Sequence, residues 1–405
     1  MYTSYIINIV LFLILMNLLS YFYFQYKHPF WSRSPVMHYY TYRRNEGVLY
    51  KKRDPYNEMV TQRNADETWI HIDTNNTKHI SMFSHLLDHQ YMYDNEFKYK
   101  YNAKFIQWCL NTPYKHFLSL ENTNRKLWSV LLKKKDKIIA SITSRPLLIH
   151  INGRSCKSFY VDYLCINKEY RGQGLAPKMI LKVEPSVWAE NQHCLEKKPY
   201  DYGNFNMYIF KKDGFQLPFR YICKYSYYYI HLQDLHLSHH KIENKRKDNY
   251  LFIKINKDNI SQAFSFFTEI IQSYKMYQIM NLSEFTYLFL NEIMNSYMLI
   301  HKKSQQVVGF SSFYDSQMIS IDKEESTCEL YYIFTKEKED LYTLCQLTYK
   351  EVQKLHYSYI FTTNVMMNHI FLEKDQWNYI TDCYYHLYNY YAYTIKTSQC
   401  ALVII

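Results

Sequence analysis

The stretch "YLCINKEYRGQGLAPKM", residues 163 to 179, sets Gly172 and Gly174 two positions apart in a chain of 405 residues that holds only seven glycines. The run before it, "FYVDYLCI", is β-branched and aromatic and reads as a buried strand, whereas "LAPKMILKV" after it has helical spacing. A strand that enters a helix through a glycine turn aims several unpaired amide N–H groups at one place, and the helix start adds the positive end of its dipole. That combination suits phosphate oxygens. A second chemical feature is the closing run "CALVII", wholly apolar, which favours burial of the end of the sequence at Ile405. Cys165 invites a covalent acyl-enzyme reading, but no His or cationic partner sits beside it in sequence, so an inert thiol on a buried strand is the stronger one.

The elements that must position this loop follow from pattern. Residues 81–110 have helical periodicity, and residues 126–166 read as a meander of strands with turns near Lys135 and at Asn152-Gly153. The second half repeats the order: a helix in "ISQAFSFFTEIIQSY", strands around "SYMLIHKK" and "QQVVGFSSFYD", a helix over 340–355, and closing strands. The polar run "HLSHHKIENKRKDN" between the halves reads as a solvated linker, since its histidines lack a carboxylate or cysteine at metal-ligand spacing. The resulting division is 1–24 apolar anchor, 25–75 arm and connection, 76–235 first half, 236–249 linker and 250–405 second half, in an α/β fold.

Composition bounds the partners. Hydrophobic residues at 48% allow real cores, and a net charge of +11 from scattered rather than clustered basic residues favours phosphates or a lipid surface over nucleic acid. Nine cysteines without a C-x-x-C pair fit a reducing compartment, and no metal site is expected. The 45 tyrosines reflect an AT-rich genome, such as that of a large DNA virus, rather than chemistry. Residues 5–24 are free of charge and about 30 Å long as a helix, enough to span a bilayer. With no basic stretch before it and Lys27, Arg33, Arg43 and Arg44 after it, the segment reads as a retained transmembrane anchor, with the rest of the chain in the cytosol. A monomer is expected.

Arg171, Gly172, Gln173, Gly174, Leu175 and Ala176 fit the R-x-x-G-x-A pyrophosphate loop of the GNAT acyl-CoA transferases. The longer run "LCINKEYRGQGLAP" resembles the signature of the N-myristoyltransferase family, and further matches keep that family's order: Phe30, Trp31, Pro35 and Val36 in the N-terminal arm, residues 86–110 over the peptide groove, "GFQLP", "SSFY" and the terminal strands. The resemblance implies two GNAT-like halves in one saddle. The first half would hold myristoyl-CoA, and the second most of the groove for a peptide beginning with glycine.

The residue roles that follow are implied by the resemblance. Pro29, Phe30 and Trp31, the backbone of Tyr163, Leu164, Cys165 and Ile166, and the loop from Arg171 to Ala176 would hold acyl-CoA. The amides of Tyr163 and Leu164 would meet the oxyanion, and the terminal carboxylate, that of Ile405, would act as base. Desolvation would raise that carboxyl from a reference pKa of about 3.5. Tyr91, Asp94, Phe97, Tyr99, Gly214, Tyr225, Ser312 and Tyr314 would line the peptide groove. The sequence also departs from the family. Glycines stand where cellular enzymes carry Ser-Lys-Arg, the acidic loop is reduced to Asp94 and Glu96, and "KKDG" (211–214) lacks a threonine beside the amine. An acyltransferase with another donor or amine, and a non-catalytic protein that binds acyl-CoA or lipidated peptide, therefore stay open.

Overall fold

A computed structural model describes residues 2–49, 66–91, 96–111, 128–183, 208–213, 217–235 and 248–404. It begins with helix α1 (Tyr2–Lys27), whose stretch Tyr5–Lys27 is apolar and unburied, followed by the short helix α2 (Pro29–Arg33). The proline-bearing sequence of residues 28–40 suggests an extended arm, and α2 corrects this for its first residues. Pro29 stands at the first helical position, where its fixed φ suits the helix and its missing N–H is not needed, and extended backbone resumes at Ser34.

The remaining elements of the first half are β1 (Gly47–Val48), β2 (Glu67–His71), α3 (Thr77–Gln90), β3 (Phe97–Tyr99), α4 (Ala103–Leu110), β4 (Ser129–Lys134), β5 (Lys137–Ile151), β6 (Arg154–Ile166), helix α5 over 175–183, β7 (Tyr208–Asp213) and β8 (Tyr221–His231). The second half supplies β9 (Tyr250–Lys254), α6 (Ile260–Ile271), β10 (Met276–Ile279), α7 (Leu282–Phe289), β11 (Met294–His301), β12 (Val307–Ser320), β13 (Ser326–Thr335), α8 (Lys338–Lys354), β14 (Tyr359–Thr363), α9 (His369–Lys374), β15 (Asn378–Leu387), β16 (Tyr390–Tyr391) and β17 (Cys400–Ala401). Most of the expected linker, 236–247, lies outside the described residues.

The β4–β6 meander is as expected. Asn152 (φ +47°) and Gly153 (φ +86°) are both left-handed, as a two-residue hairpin turn between right-twisted strands requires, and Ile151 pairs with Arg154 across it. The continuous helical reading of 81–110 is corrected: α3 and α4 are separated by β3, which pairs antiparallel with the end of β12, Phe97 opposite Ser320 and Tyr99 opposite Met318. The alternation Phe97-Lys98-Tyr99 carries this strand's period of two, and the helical signal on both sides masks it.

Among the described residues one sheet of fifteen strands runs through both halves, with the core order β17-β10-β5-β6-β7-β15-β8-β14-β13-β12-β11-β9. The halves interleave in it. Strands β10 and β17 from the second half close the edge beside β5, and β15 inserts between β7 and β8. This interleaving carries the end of the chain back to the strands that lead into the glycine loop. Phe159, Val161, Leu175, Met179, Ile180, Phe219 and Tyr388 form a core on one side of β6, and Phe83, Tyr160, Tyr163 and Tyr225 belong to the large core on the other.

Candidate active site

Strand β6 loses its regular pairing where the loop chemistry begins. Ser141 faces Cys165 and Thr143 faces Asp162, so Tyr163 and Leu164 together stand opposite Ile142 in a β-bulge. Tyr163 takes φ +49°, a left-handed conformation that is rare for an aromatic residue and marks local strain. The disrupted ladder is repaired by hydroxyls. Ser141 Oγ donates to the Tyr163 carbonyl at 2.8 Å and Thr143 Oγ1 to the Asp162 carbonyl at 3.1 Å. On its other side β6 pairs in parallel with β7 only through residues 159–161. The two strands therefore part at the bulge, and a wedge opens there.

The Tyr163 amide is engaged. It donates to Oδ1 of Asp162 at 2.7 Å, and the same oxygen accepts from the Tyr91 hydroxyl at 3.3 Å. Asp162 was not among the expected site residues. Its signal in sequence was a single acidic residue within the apolar strand "FYVDYLCI".

Beyond β6, a short 3-10 turn (Lys168–Tyr170) leads to the glycine loop. Gly172 (φ +77°) and Gly174 (φ +73°) are left-handed, which is the physical reason for both glycines, and the space where a Cβ would stand at each is open. Residues 171–174 are exposed, and Leu175 turns inward to start α5 in the core. The first-turn N–H groups of that helix cannot be paired within it. Arg171 braces the loop: Nε donates to the Ile166 carbonyl at 3.0 Å and Nη2 to the Gln90 carbonyl at 2.9 Å. Gln173 Nε2 donates to the Glu169 carbonyl at 3.3 Å. The guanidinium thus fixes the loop to β6 and α3, and the exposed amides and the helix start remain as the features suited to an anion.

The arm meets the same core. Phe30 and Trp31 are part-buried against the cluster containing Leu175 and Met179, and the Trp31 ring lies 4.9 Å from that of Phe219. Cys165 is buried, and burial pushes its thiol up to about 12, with the Arg171 charge pulling weakly the other way. A thiol with that pKa is about one part in ten thousand thiolate at pH 8. Brief alkylation of the intact protein with iodoacetamide at pH 8, read by peptide mass spectrometry, is expected to leave Cys165 unmodified; rapid labelling would restore the acyl-enzyme reading.

Two of the residues expected to line the groove, Tyr91 and Tyr99, join Tyr101 and Phe83 in one aromatic group with Tyr163. Its ring centroid is 5.7 Å from Tyr91, 5.6 Å from Tyr101 and 5.6 Å from Phe83, and Tyr99 stacks on Tyr101 at 5.1 Å. Tyr101 continues through Phe105 to Tyr314, whose hydroxyl donates to Glu329 at 2.8 Å. Phe97 joins a neighbouring group with Tyr229, Tyr359 and Phe361. Ser312 is fully buried and its Oγ accepts from the Tyr332 amide at 3.2 Å, which makes it a packing residue in this state.

The apolar tail is buried as its composition implies, from Cys400 to Ile404. Two buried tyrosines hold it: Tyr332 donates to the Ala401 carbonyl at 3.2 Å and Tyr385 to the Leu402 carbonyl at 2.9 Å. Tyr385 in turn stacks on the buried Tyr225 at 4.7 Å. Three expected residues, Asp94, Gly214 and Ile405, lie outside the described residues.

Comparison with known proteins bears on this arrangement. Residues 51–193 match the model of the myristoyl-CoA:protein N-myristoyltransferase N-terminal domain. The glycylpeptide N-tetradecanoyltransferase of Saccharomyces cerevisiae is 23% identical over 320 residues, covering 71% of this chain and 64% of that enzyme, and Arabidopsis thaliana glycylpeptide N-tetradecanoyltransferase 1 is 28% identical over 144 residues, covering 35% and 30%. The chain therefore matches less than two thirds of the length of these relatives. In structure it is similar to the S. cerevisiae N-myristoyltransferase crystallised with bound myristoyl-CoA, with a TM-score of 0.74 at 20% identity, over 93% of this chain and 99% of that one, so the fold is shared. The strand, bulge and glycine loop thus lie inside the segment that matches the N-myristoyltransferase N-terminal domain, and the fold around them is the one the S. cerevisiae enzyme shares.

Proposed function

We propose that this chain transfers a long-chain acyl group, myristoyl in the first instance, from acyl-CoA to the N-terminal glycine amine of peptides or proteins in one direct displacement. The amine adds to the thioester carbonyl, whose oxygen takes up the negative charge as the C–N bond forms; the amine gives up a proton, the carbonyl re-forms as the C–S bond breaks, and the departing thiolate of CoA is protonated. The observation that carries this reading is the bulged end of β6 leading through a single 3-10 turn into the glycine loop. One continuous segment, 163–176, thereby offers backbone donors for a developing oxyanion and for a pyrophosphate.

In this reading the amides of Tyr163 and Leu164 meet the oxyanion, the loop amides and the start of α5 hold the phosphates, and Phe30 and Trp31 cover the coenzyme. Tyr91, Tyr99, Phe97, Tyr225 and Tyr314 shape the groove, and the terminal carboxylate of Ile405 takes the ammonium proton. Asp162 has a part in the sequence of events. While its carboxylate holds the Tyr163 amide, that donor is occupied and a negative charge sits beside the oxyanion position. The incoming glycine ammonium supplies the positive charge that draws the carboxylate away, which suits a pocket lacking the family's threonine.

Incubation with acyl-CoAs of graded length and glycine-starting peptides, following free thiol release, tests the reading. Release is expected to peak with myristoyl-CoA. Tight acyl-CoA binding without release would favour the non-catalytic alternative.

The apolar helix Tyr5–Lys27 is read as a membrane anchor, with the remainder of the chain cytosolic because Lys27, Arg33, Arg43 and Arg44 follow it. Protease added to intact microsomes is expected to digest the chain down to its anchor. Protection of the whole chain would reverse the orientation, and complete extraction by alkaline carbonate would remove the anchor.

A further inference from the structure

Of the residues from Tyr5 to Lys27, only Phe24 is part-buried, and it is covered by residues that follow the helix. Its ring lies 5.0 Å from His38 and 5.6 Å from Tyr40, both edge-on, while Tyr21, one turn earlier, meets Tyr40 edge-on at 5.3 Å. His38 and Tyr40 stack on each other at 4.9 Å and 10°. Four rings, two on α1 and two on the arm, therefore clasp the cytosolic end of α1, and edge-to-face ring pairs of this kind stabilise beyond the area they bury. Burial lowers the His38 pKa to about 4, so its ring stays neutral at pH 7 and the clasp does not open by protonation there.

The clasp is fastened to the body. The Pro35 carbonyl accepts from the Asn389 amide at 2.6 Å, and Val36 forms a β-bridge with Tyr388. The Met37 carbonyl accepts from the Arg220 amide, and the Arg220 guanidinium donates to the carbonyls of His38, Tyr39 and Thr41 at 3.1–3.2 Å. Between α1 and α2, His28 leaves helical geometry (φ −132°, ψ 60°), yet it is held from both sides: its N–H donates to the Phe24 carbonyl at 2.8 Å, and its own carbonyl accepts from the Ser32 N–H at 2.9 Å. A free tether would have neither the ring contacts nor these bonds.

Distance then decides where the arm sits. Trp31 is four residues beyond Lys27, at most about 8 Å along the axis for three helical steps and one extended step at His28, and the headgroup layer of one leaflet is about 5–8 Å deep. Trp31 therefore stands at headgroup depth, where indole rings are favoured, among the cations Lys27 and Arg33 that suit anionic headgroups. Its other face packs against Phe219 and the core of the glycine-loop helix. A long-chain acyl-CoA is an amphiphile whose chain is stabilised by every methylene it buries, so it partitions into bilayers.

We infer that α1 is a rigid mount rather than a tether: the aromatic clasp fixes the acyl-CoA arm in the headgroup layer, and the protein takes its acyl-CoA directly from the membrane. The inference rests on the anchor and acyl-transfer readings above.

The test uses the full chain in vesicles of phosphatidylcholine and phosphatidylserine, spin-labelled at Leu13→Cys in the helix and Tyr393→Cys on the exposed surface of the body. A narrow label-to-label distance distribution is expected. Phe24→Ala with Tyr40→Ala, and separately eight Gly/Ser residues inserted between Lys27 and His28, should each broaden it. A distribution already broad in the parent chain would overturn the rigid mount. Acyl transfer from vesicle-held myristoyl-CoA should fall about tenfold in both variants, as expected when the effective concentration of the arm at the source is diluted. Transfer in detergent micelles should stay within about twofold, because a micelle encloses the anchor in any orientation. Equal rates in vesicles would overturn membrane supply, whereas absence of transfer by the parent chain in both media would count against acyl transfer and leave the distance result to decide the mount.

Discussion

Replacing Gly174 by Glu is expected to abolish acyl-CoA binding in a calorimetric titration while the circular dichroism spectrum stays that of the parent chain. Gly174 has φ +73° and open space where its Cβ would stand, so a side chain meets no clash and the backbone cost is about 1–2 kcal/mol. The functional cost is larger, because a carboxylate would stand among the amides and the helix start that face the pyrophosphate. Exclusion of the phosphates and like-charge repulsion together should lower affinity at least about a hundredfold, or roughly 2.7 kcal/mol. Gly174→Ala separates the two contributions, since it carries the same backbone strain without the charge and should lose far less. Unchanged affinity in the Glu variant would move the phosphate site elsewhere.

Removing Ile405, or extending the chain with a short tag, should lower the turnover of bound substrates by about a hundredfold or more while acyl-CoA affinity is kept. Deletion shifts the carboxylate by one extended residue, about 3.3 Å, and turns it to the other face. A tag converts it to a neutral amide. The tail up to Ile404 is buried and held at two carbonyls by Tyr332 and Tyr385, contacts that a tag is expected to leave in place. The loop that binds coenzyme is a separate segment. Normal transfer by a tagged protein would exclude the terminal base and turn attention to Asp162.

The parts of this molecule legible in the sequence were those with a short-range physical cause. Two left-handed glycines between a strand and a helix marked the loop, Asn152-Gly153 marked the hairpin, and the apolar closing run marked a buried tail. What escaped depends on long-range pairing. The bulge at Tyr163 and Leu164 exists only in register with β5, so the capture of the Tyr163 amide by Asp162 could not be read from either strand alone. The interleaving of β15 between β7 and β8 leaves no local mark, and the strand Phe97–Tyr99 was masked by the helices around it. Arg171 shows a further limit: its charge suggested phosphate, and its geometry makes it a brace for the loop.

The most direct measurement is the mass of a peptide after incubation with myristoyl-CoA and the full chain in detergent micelles, using a glycine-starting peptide and its N-acetylated twin. The account predicts that the free peptide gains one myristoyl group on its terminal amine, with one equivalent of CoA thiol released, and that the acetylated twin is unchanged. An unmodified free peptide, or equal acylation of the blocked one, would contradict it.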